Sequence, residues 1–327
     1  MTRSKLPDRR SFLALGLGTF AVAVVPSPLR GRARVVRRSV PVMGTVAELA
    51  VVHRHEGFAH RALDAAVDEL RRVEGLMTRF RDDSDVGRAN LLASGRAVAI
   101  SSETADVLRE SLVWAARSGG AFDPCLGRAV RLWDVEHRIA PPDDADVRRW
   151  AGLGLWRHLE VETGGTVPRV RFHDPAVSLD LGGIAKGYGV DAAARALRDQ
   201  GVFHALVNVG GDLVALGHSE DGDPWEIGVR HPADPSRLAA TLRLSDGAVA
   251  TSGDYLRYFR HEGRRYHHLL DPTDGAPRSS RQHTLTAEAP TCLAADAAAT
   301  AVFGMAPEAC ERVLAAAGRE VRVAHRG

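Results

Sequence analysis

The sequence predicts an α+β protein built from mixed sheets with packed helices. Segments of helical spacing and segments of strand character occur along the chain, but they do not alternate regularly. A regular alternation would favour a doubly wound parallel sheet, so we do not expect that architecture. About 290 residues follow the N-terminal segment, which suffices for one large domain or for two intimately packed lobes.

The N-terminal half is predicted to contain one strand and two long helices. Residues 40–52 have strand character around Met43. Residues 58–77 place apolar side chains at helical spacing. Residues 102–118 form the second predicted helix, with Ser101 available as its N-cap and Glu103 in its first turn.

The C-terminal half is richer in strands and contains a helix of small residues. A turn at Asp174-Pro175 separates two short predicted strands, and Gly210-Gly211-Asp212 interrupts a longer one. Residues 141–146, rich in Pro and Asp, are expected to form the softest connecting segment. The predicted strands are residues 170–173, 177–181, 205–216, 225–231 and 241–244, and the predicted helix is residues 292–302.

Residues 178–191 have the features of an anion pocket. The glycine pair Gly182-Gly183 lets the backbone approach a ligand, and a helix is predicted to begin directly after it. Lys186 adds a full positive charge, and Lys5 is the only other lysine in the chain. The order of residues is not that of the G-x-x-x-x-G-K-[ST] phosphate loop. The alternative is that Lys186 is an ordinary surface lysine without a ligand.

Asp296 and Thr300 form a second candidate site, on the helix predicted for residues 292–302. They are four positions apart, so they lie on one face of that helix, among alanines that allow close approach. A carboxylate and a hydroxyl suit a hard cation such as Mg²⁺. The alternative is a solvated aspartate beside a threonine that bonds back to its own helix.

His268 and Asp271 form a third candidate site, where a predicted strand ends in a Pro-Thr-Asp-Gly turn. A histidine and an acid at a strand end can serve proton transfer. The pair His267-His268 alone is equally compatible with a structural role. Residues 251–255 form another glycine turn with polar side chains.

Composition excludes several classes of function. The formal net charge is +2, and no basic stripe with interleaved aromatic residues occurs, so nucleic-acid binding is not expected. The three cysteines Cys125, Cys292 and Cys310 are far apart and form no C-x-x-C pair. The sequence therefore indicates neither a zinc site nor a redox dithiol.

The N-terminus predicts export. Arg9-Arg10 precedes an apolar run, residues 12–25, that contains glycines, which resembles a twin-arginine signal. This run is shorter than the roughly 20 residues of a transmembrane helix. We assign residues 1–35 to the signal and its flank and residues 36–327 to the working domain. The expected location is extracytoplasmic, in the periplasm or at the outer face of the cytoplasmic membrane, and cleavage of the signal stays open.

Eight short segments between residues 40 and 305 together resemble one family, the FAD:protein FMN transferases or ApbE-type flavin transferases. Each segment alone is unspecific, but their order along the chain is not. The resemblance implies one ApbE-like domain of two intimately associated lobes. The segments are residues 43–45, 77–86, 120–124, 179–188, 208–212, 251–255, 268–272 and 295–300.

The resemblance also implies a reaction and its participants. FMN is transferred from FAD to a threonine hydroxyl of an acceptor protein, with Mg²⁺ as cofactor and AMP as leaving group. The acceptor would be a membrane or extracytoplasmic redox protein. A metal-dependent FAD pyrophosphatase and a non-catalytic flavin carrier are the alternatives, and the presence of Asp296 argues against the carrier.

By match to the family pattern, three sets of residues receive roles. Phe80 stands where tyrosine is common, so the ring is kept and the phenolic hydroxyl is lost. The acids near the metal are an alternative to His268 as the base. The implied metal ligands are Asp296, Thr300 and the carbonyl of Gly183; the implied FAD contacts are Met43, Phe80, Ala121, Phe122, Asp123, Asp180, Lys186 and Leu270; the implied catalytic residues are His268 and Asp271.

Overall fold

The computed structural model describes residues 20–22, 34–255, 257–318 and 320–327. The helices of this part of the chain are α1 Glu56–Met77, α2 Asp85–Leu92, α3 Ser102–Arg117, α4 Gly127–Trp133, α5 Asp144–Arg148, α6 Ala185–Asp199, α7 Cys292–Val302 and α8 Pro307–Ala317. The strands are β1 Phe20–Val22, β2 Arg34–Val42, β3 Thr45–His53, β4 Val98–Ala99, β5 Leu159–Glu162, β6 Arg169–Phe172, β7 Ala205–Val209, β8 Asp212–Leu216, β9 Trp225–His231, β10 Asp234–Leu244, β11 Gly247–Gly253, β12 Tyr258–His261, β13 Arg264–His267, β14 Thr284–Ala289 and β15 Arg322–Arg326.

A seven-stranded sheet is the centre of the fold, with the strand order β15-β14-β11-β8-β7-β3-β2. Every neighbouring pair in this sheet is antiparallel. Helices α1 and α6 pack against each other and against its strands. The predicted α+β class with mixed sheets and packed helices is confirmed.

The apolar core has two main clusters. One lies between the large sheet and helices α1 and α6, and it includes Leu63, Leu70 and Val190. The other joins helices α2, α3, α4, α7 and α8 to the small sheet β4-β6-β5, with Trp114 and Phe303 fully buried. The candidate site lies where α6 and α7 meet, and these two helices contribute side chains to both clusters.

The long helices follow their sequence patterns. Helix α1 buries Leu63, Leu70 and Val73 on one face, as the predicted helix 58–77 requires. Helix α3 begins after Ser101, whose side chain accepts a hydrogen bond from the Thr104 backbone N–H. Helix α7 has the bounds predicted for it, residues 292–302.

The strand predicted for residues 40–52 is wrong in one respect, because it is a hairpin of β2 and β3. Met43 and Gly44 form the turn, with φ of 53° and 68°. Two successive residues with positive φ are typical of tight hairpin turns. The Met43 N–H donates to Glu74 Oε1 at 2.7 Å, which helps to hold a methionine in this backbone conformation.

The strand predicted for residues 177–181 is not formed. Ser178 makes only an isolated bridge with Leu126. The side chain of Asn90 replaces a neighbouring strand, because its Nδ2 donates to the Leu179 carbonyl at 3.0 Å and its Oδ1 accepts from the Leu179 N–H at 2.6 Å. The segment predicted as soft, residues 141–146, is also partly wrong, since α5 begins at Asp144.

Most of the predicted export signal lies outside the described residues. Residues 20–22 of its apolar run form β1, which pairs antiparallel with β9. In the described part of the chain, no helix combines the length and the hydropathy that a membrane span requires.

Candidate functional site

Helices α6 and α7 approach each other closely at Gly187. A Cβ atom at this position would collide with the Cys292 carbonyl oxygen, so only glycine fits. The carboxylate of Asp191 then accepts hydrogen bonds from the backbone N–H groups of Cys292 and Leu293, each at 2.9 Å. This contact satisfies two of the unpaired donors at the start of α7. It fixes α7 beside the first turns of α6.

Asp296 enters the first turn of α6 as a result. Its Oδ2 accepts a hydrogen bond from the Gly187 N–H at 3.0 Å and lies 3.5 Å from Lys186 Nζ. The helix start that the sequence assigned to an external anion therefore faces one of the protein's own carboxylates. Asp296 is 3% exposed, so this pairing is formed away from bulk water.

Lys186 is held between two carboxylates. Its ammonium forms an ion pair with Asp212 and a longer one with Asp296. Burial alone would lower the pKa of Lys186, but the charges of Asp212 and Asp296 outweigh it and raise that pKa. The pKa of Asp212 is raised by burial and by the charge of Asp296, against the opposing effect of Lys186.

Thr300 lies one turn further along α7, against Gly183. A Cβ atom at Gly183 would lie 3.1 Å from Thr300 Oγ1 and 2.8 Å from Thr300 Cγ2. Ser252, on β11, brings its hydroxyl to 3.4 Å from Thr300 Oγ1. The glycine thus places backbone, not side chain, beside the Thr300 hydroxyl.

Of the three implied metal ligands, Gly183 and Thr300 are in contact, Asp296 lies one helical turn before Thr300 on α7, and their chemistry fits Mg²⁺. They offer a carboxylate, a hydroxyl and a backbone carbonyl, all hard oxygen donors. Mg²⁺ keeps several of its positions for water and phosphate, so a small set of protein ligands is sufficient. Within the described residues, no group of three or more His, Cys, Asp or Glu side chains is arranged to hold a metal. The implied Mg²⁺ site has only one carboxylate among its three ligands, so it is not a group of that kind.

Phe80 presents an open aromatic face. Its side chain is exposed, at 79% of the residue's surface, and the guanidinium carbon of Arg79 lies 4.2 Å from the ring centroid. Arg79 Nε also donates to Asp180 Oδ2 at 2.8 Å, and the other oxygen of Asp180 accepts from the Gly182 N–H at 2.8 Å. Phe80 and Asp180 are thereby joined through Arg79, a residue that the sequence did not single out.

Residues 121–123 form a partly buried loop after α3. Phe122 is buried, with its N–H donating to Ser118 Oγ at 2.9 Å. Burial raises the pKa of Asp123 to about 6, although its carboxylate accepts hydrogen bonds from the N–H groups of Cys125 and Trp156. Asp123 therefore supports the loop's own backbone.

Met43 reaches the same helix as Lys186. A Cβ atom at Gly189 would lie 2.9 Å from the Met43 sulfur, so the side chain lies against α6. Arg257 donates to the carbonyl of Gly44 at 3.1 Å, which connects the β2–β3 turn to the segment that precedes His268.

His268 and His267 lie in different surroundings, as adjacent residues at a strand end should. His267 is buried, and its two ring nitrogens contact the Arg278 carbonyl at 2.9 Å and the Leu269 N–H at 3.2 Å. His268 is partly exposed, with Nδ1 at 3.4 Å from the Arg257 carbonyl. Desolvation by the surrounding protein is the main cause that lowers the pKa of His268 to about 3, and the positive charge of Arg257 is the second. The imidazole is neutral at pH 7, but it is a weaker base than the sequence argument expected.

The side chain of Asp271 forms hydrogen bonds within its own turn. Its Oδ1 accepts hydrogen bonds from the Thr273 N–H at 2.9 Å and from the Thr273 hydroxyl at 2.6 Å. This arrangement is a local Asx turn. Leu270 precedes it and is buried.

Comparison with known proteins decides the family. The model of the ApbE family matches residues 43–323. The chain belongs to the ApbE family. It is 33% identical to the FAD:protein FMN transferase of Vibrio cholerae, over 84% of this chain and 82% of the relative. It is 34% identical to a Klebsiella pneumoniae protein of the same name, over 84% of each chain.

Solved ApbE structures share the fold. The ApbE protein of Thermotoga maritima superposes with a TM-score of 0.79 at 28% identity, covering 89% of this chain and 93% of the other. The architecture of this chain is thus that of ApbE proteins, and its α6–α7 crossing lies inside the region that the family model matches.

Asp212 is the site residue that sequence reasoning missed in this ApbE chain. It begins β8, directly after the Gly210-Gly211 turn, and is 2% exposed. The sequence could not show that Asp212 lies against a lysine 26 positions away.

Proposed function

We propose that this protein transfers FMN from FAD to a threonine hydroxyl of an acceptor protein and releases AMP, with Mg²⁺ as cofactor. The contact of Gly183 with Thr300, one helical turn after Asp296 at the α6–α7 crossing, carries the proposal, because these residues offer hard oxygen donors on neighbouring turns. The names of the Vibrio and Klebsiella relatives support the transfer of FMN from FAD to a protein.

The chemistry assigns a task to each group. The threonine oxygen attacks the FMN-side phosphorus of FAD, the bond from that phosphorus to the bridging oxygen breaks, and AMP leaves with the electron pair. A bound Mg²⁺ would offset the charge that develops on the phosphate oxygens. Asp296, Thr300 and the Gly183 carbonyl would hold the ion. Lys186 supplies a fixed positive charge beside them, and the exposed ring of Phe80 offers a surface for stacking a flavin or an adenine.

The threonine proton needs an acceptor, since a hydroxyl is a weak nucleophile at neutral pH. His268 is neutral at pH 7 and belongs to the segment that leads to Leu270, so it is our first candidate. Asp212 is the second candidate, because burial keeps its pKa above the ordinary value.

We also infer that the protein works outside the cytoplasm after twin-arginine export. The support is the Arg9-Arg10 pair and the short apolar run in the sequence. The acceptor would then be a membrane or extracytoplasmic redox protein.

Mass spectrometry tests the reaction. A candidate acceptor domain is incubated with the protein, FAD and Mg²⁺, and we expect a mass gain of one FMN unit on a threonine, with AMP in equal amount. Asp296→Asn is the matched control and should give neither product. FMN and AMP without a modified acceptor would identify a pyrophosphatase, whereas unchanged FAD with tight binding would identify a carrier. Either result would overturn the transfer proposal.

A further inference from the structure

Arg278 is half-buried at the candidate site, and within the described residues none of its hydrogen bonds goes to an acid. Its guanidinium donates to carbonyl oxygens in three separate segments of the chain. The acceptors are the carbonyl of Leu270 at 3.2 Å from Nε, those of Thr300, Ala301 and Phe303 at 3.0, 3.3 and 2.7 Å from one terminal nitrogen, and that of Ala121 from the other terminal nitrogen.

The surroundings of Arg278 destabilise its positive charge. Burial lowers the pKa of Arg278 to about 10, with only a partial compensation from the charge of Asp271. Unpaired acceptors at the end of a helix are ordinarily satisfied by glycine turns or by water. An arginine is not needed for that purpose alone. What a guanidinium adds is a rigid, planar fork that can hold several acceptors in a fixed relation.

Each of the three segments contains residues to which the family resemblance gives a role in the site. Ala121 opens the loop implied to contact FAD, Leu270 belongs to the segment that contains His268, and Thr300 is an implied metal ligand. Helix α7 meets the guanidinium at its C-terminal carbonyls, where a positive charge is favourable. One side chain thus sets the distances among the two flavin-contact segments and the metal helix.

We propose that Arg278 is the positioning residue that preassembles the FAD-contact segments around helix α7. The proposal rests on the proposed function, because it concerns the binding of FAD. Arg278 does not touch the reacting atoms. Its loss leaves the chemistry in place, but FAD must then order the Ala121 and Leu270 segments as it binds.

The test is Arg278→Lys, which keeps the positive charge and replaces the fork with a single nitrogen. One ammonium cannot serve all three segments, so we expect the KM for FAD to rise by about tenfold, the effect of losing one charge-assisted hydrogen bond. The kcat at saturating FAD should stay within about threefold. Quenching of flavin fluorescence, measured without turnover, should show the same loss of FAD affinity. Arg278→Met should be worse in both affinity and thermal stability.

Two matched variants separate positioning from general stability. Arg281→Met removes an exposed arginine from the neighbouring segment and should behave as wild type. Val67→Ala opens the core between α1 and the sheet, so it lowers the melting temperature without touching the three segments. An Arg278→Lys protein that melts lower but keeps the wild-type KM and FAD affinity, as Val67→Ala should, would overturn the inference. A wild-type protein that never consumes FAD would instead overturn the proposed function.

Discussion

At the scale of single residues, Lys186 governs the charge of the site. Its ammonium is the counter-ion of two buried carboxylates, Asp212 and Asp296. The sequence argument assigned it to an external phosphate on the grounds of its rarity. The structure adds that removing it would leave two acids facing each other, which a divalent cation would then have to neutralise.

We therefore predict that Lys186→Met lowers the thermal stability in EDTA and that Mg²⁺ restores much of it. Removing one partner of a buried ion pair costs about 3 kcal/mol, and a bound cation replaces the missing charge. Differential scanning fluorimetry with and without Mg²⁺ measures both effects. The double variant Lys186→Met with Asp212→Asn is the control and should melt higher in EDTA than the single variant. An unchanged melting temperature of Lys186→Met in EDTA would contradict the charge argument.

His268 gives a prediction on pH. Its pKa of about 3 in the folded protein lies below the ordinary value of 6.5. Desolvation by the surrounding protein and the charges of Arg257, His267 and Lys186 oppose its protonation. Between these two pH values the unfolded chain binds more protons, so the free energy of unfolding falls as the pH falls. Removal of the histidine by His268→Gln should flatten the decline in melting temperature between pH 7 and pH 5. The exposed His55 provides the control His55→Gln, whose profile should follow the wild type.

The sequence predicted the placement of site candidates correctly where they are local in sequence, while their role as metal ligands stays a prediction. Asp296 and Thr300 lie together because four positions make one helical turn, and the structure has both on α7. Asp212 and Arg278 could not be found in this way. Their partners come from distant segments, and no local pattern marks a strand residue as the neighbour of a lysine on a helix.

At the scale of elements, the contact between Asp191 and the start of α7 determines where Asp296 lies, in addition to the N-cap Thr291. Asp191 on α6 accepts the first two N–H groups of α7 and so couples the two helices. The elements that could be predicted were the long ones with clear spacing, α1, α3 and α7. The turn at Met43 could not be predicted, because methionine rarely adopts positive φ. The strand at residues 177–181 failed because the Asn90 side chain supplies hydrogen bonds that a strand neighbour would otherwise make.

We predict that Asp191→Ala weakens both the fold and the site. Loss of side-chain hydrogen bonds to the N–H groups at a helix start costs about 1 to 2 kcal/mol, and a displaced α7 should raise the Mg²⁺ concentration needed for half-maximal FAD turnover. Ser101→Ala removes the N-cap of α3, a helix that carries none of the implied metal ligands, and serves as the matched variant. It should lose stability but keep the wild-type Mg²⁺ requirement. Equal Mg²⁺ requirements in the two variants would show that the contact of Asp191 with α7 has no special link to the site.

At the scale of the whole molecule, the export signal and the folded domain make one joint prediction. The twin-arginine route carries folded proteins, so replacing Arg9 and Arg10 by lysines should leave active, folded protein in the cytoplasm. Cell fractionation with an assay of FAD turnover measures this. Activity that still reaches the extracytoplasmic fraction would mean that another export route is used.

The contact between Lys186 and Asp296 also has a consequence for how the protein folds. These residues are 110 positions apart, so their encounter requires the closure of a long loop of chain. Contacts of this separation form slowly. Local helices such as α1 can form before the α6–α7 crossing exists. We therefore expect FAD and Mg²⁺ to hold the finished fold once it is reached, by slowing its unfolding, while leaving the rate of refolding unchanged.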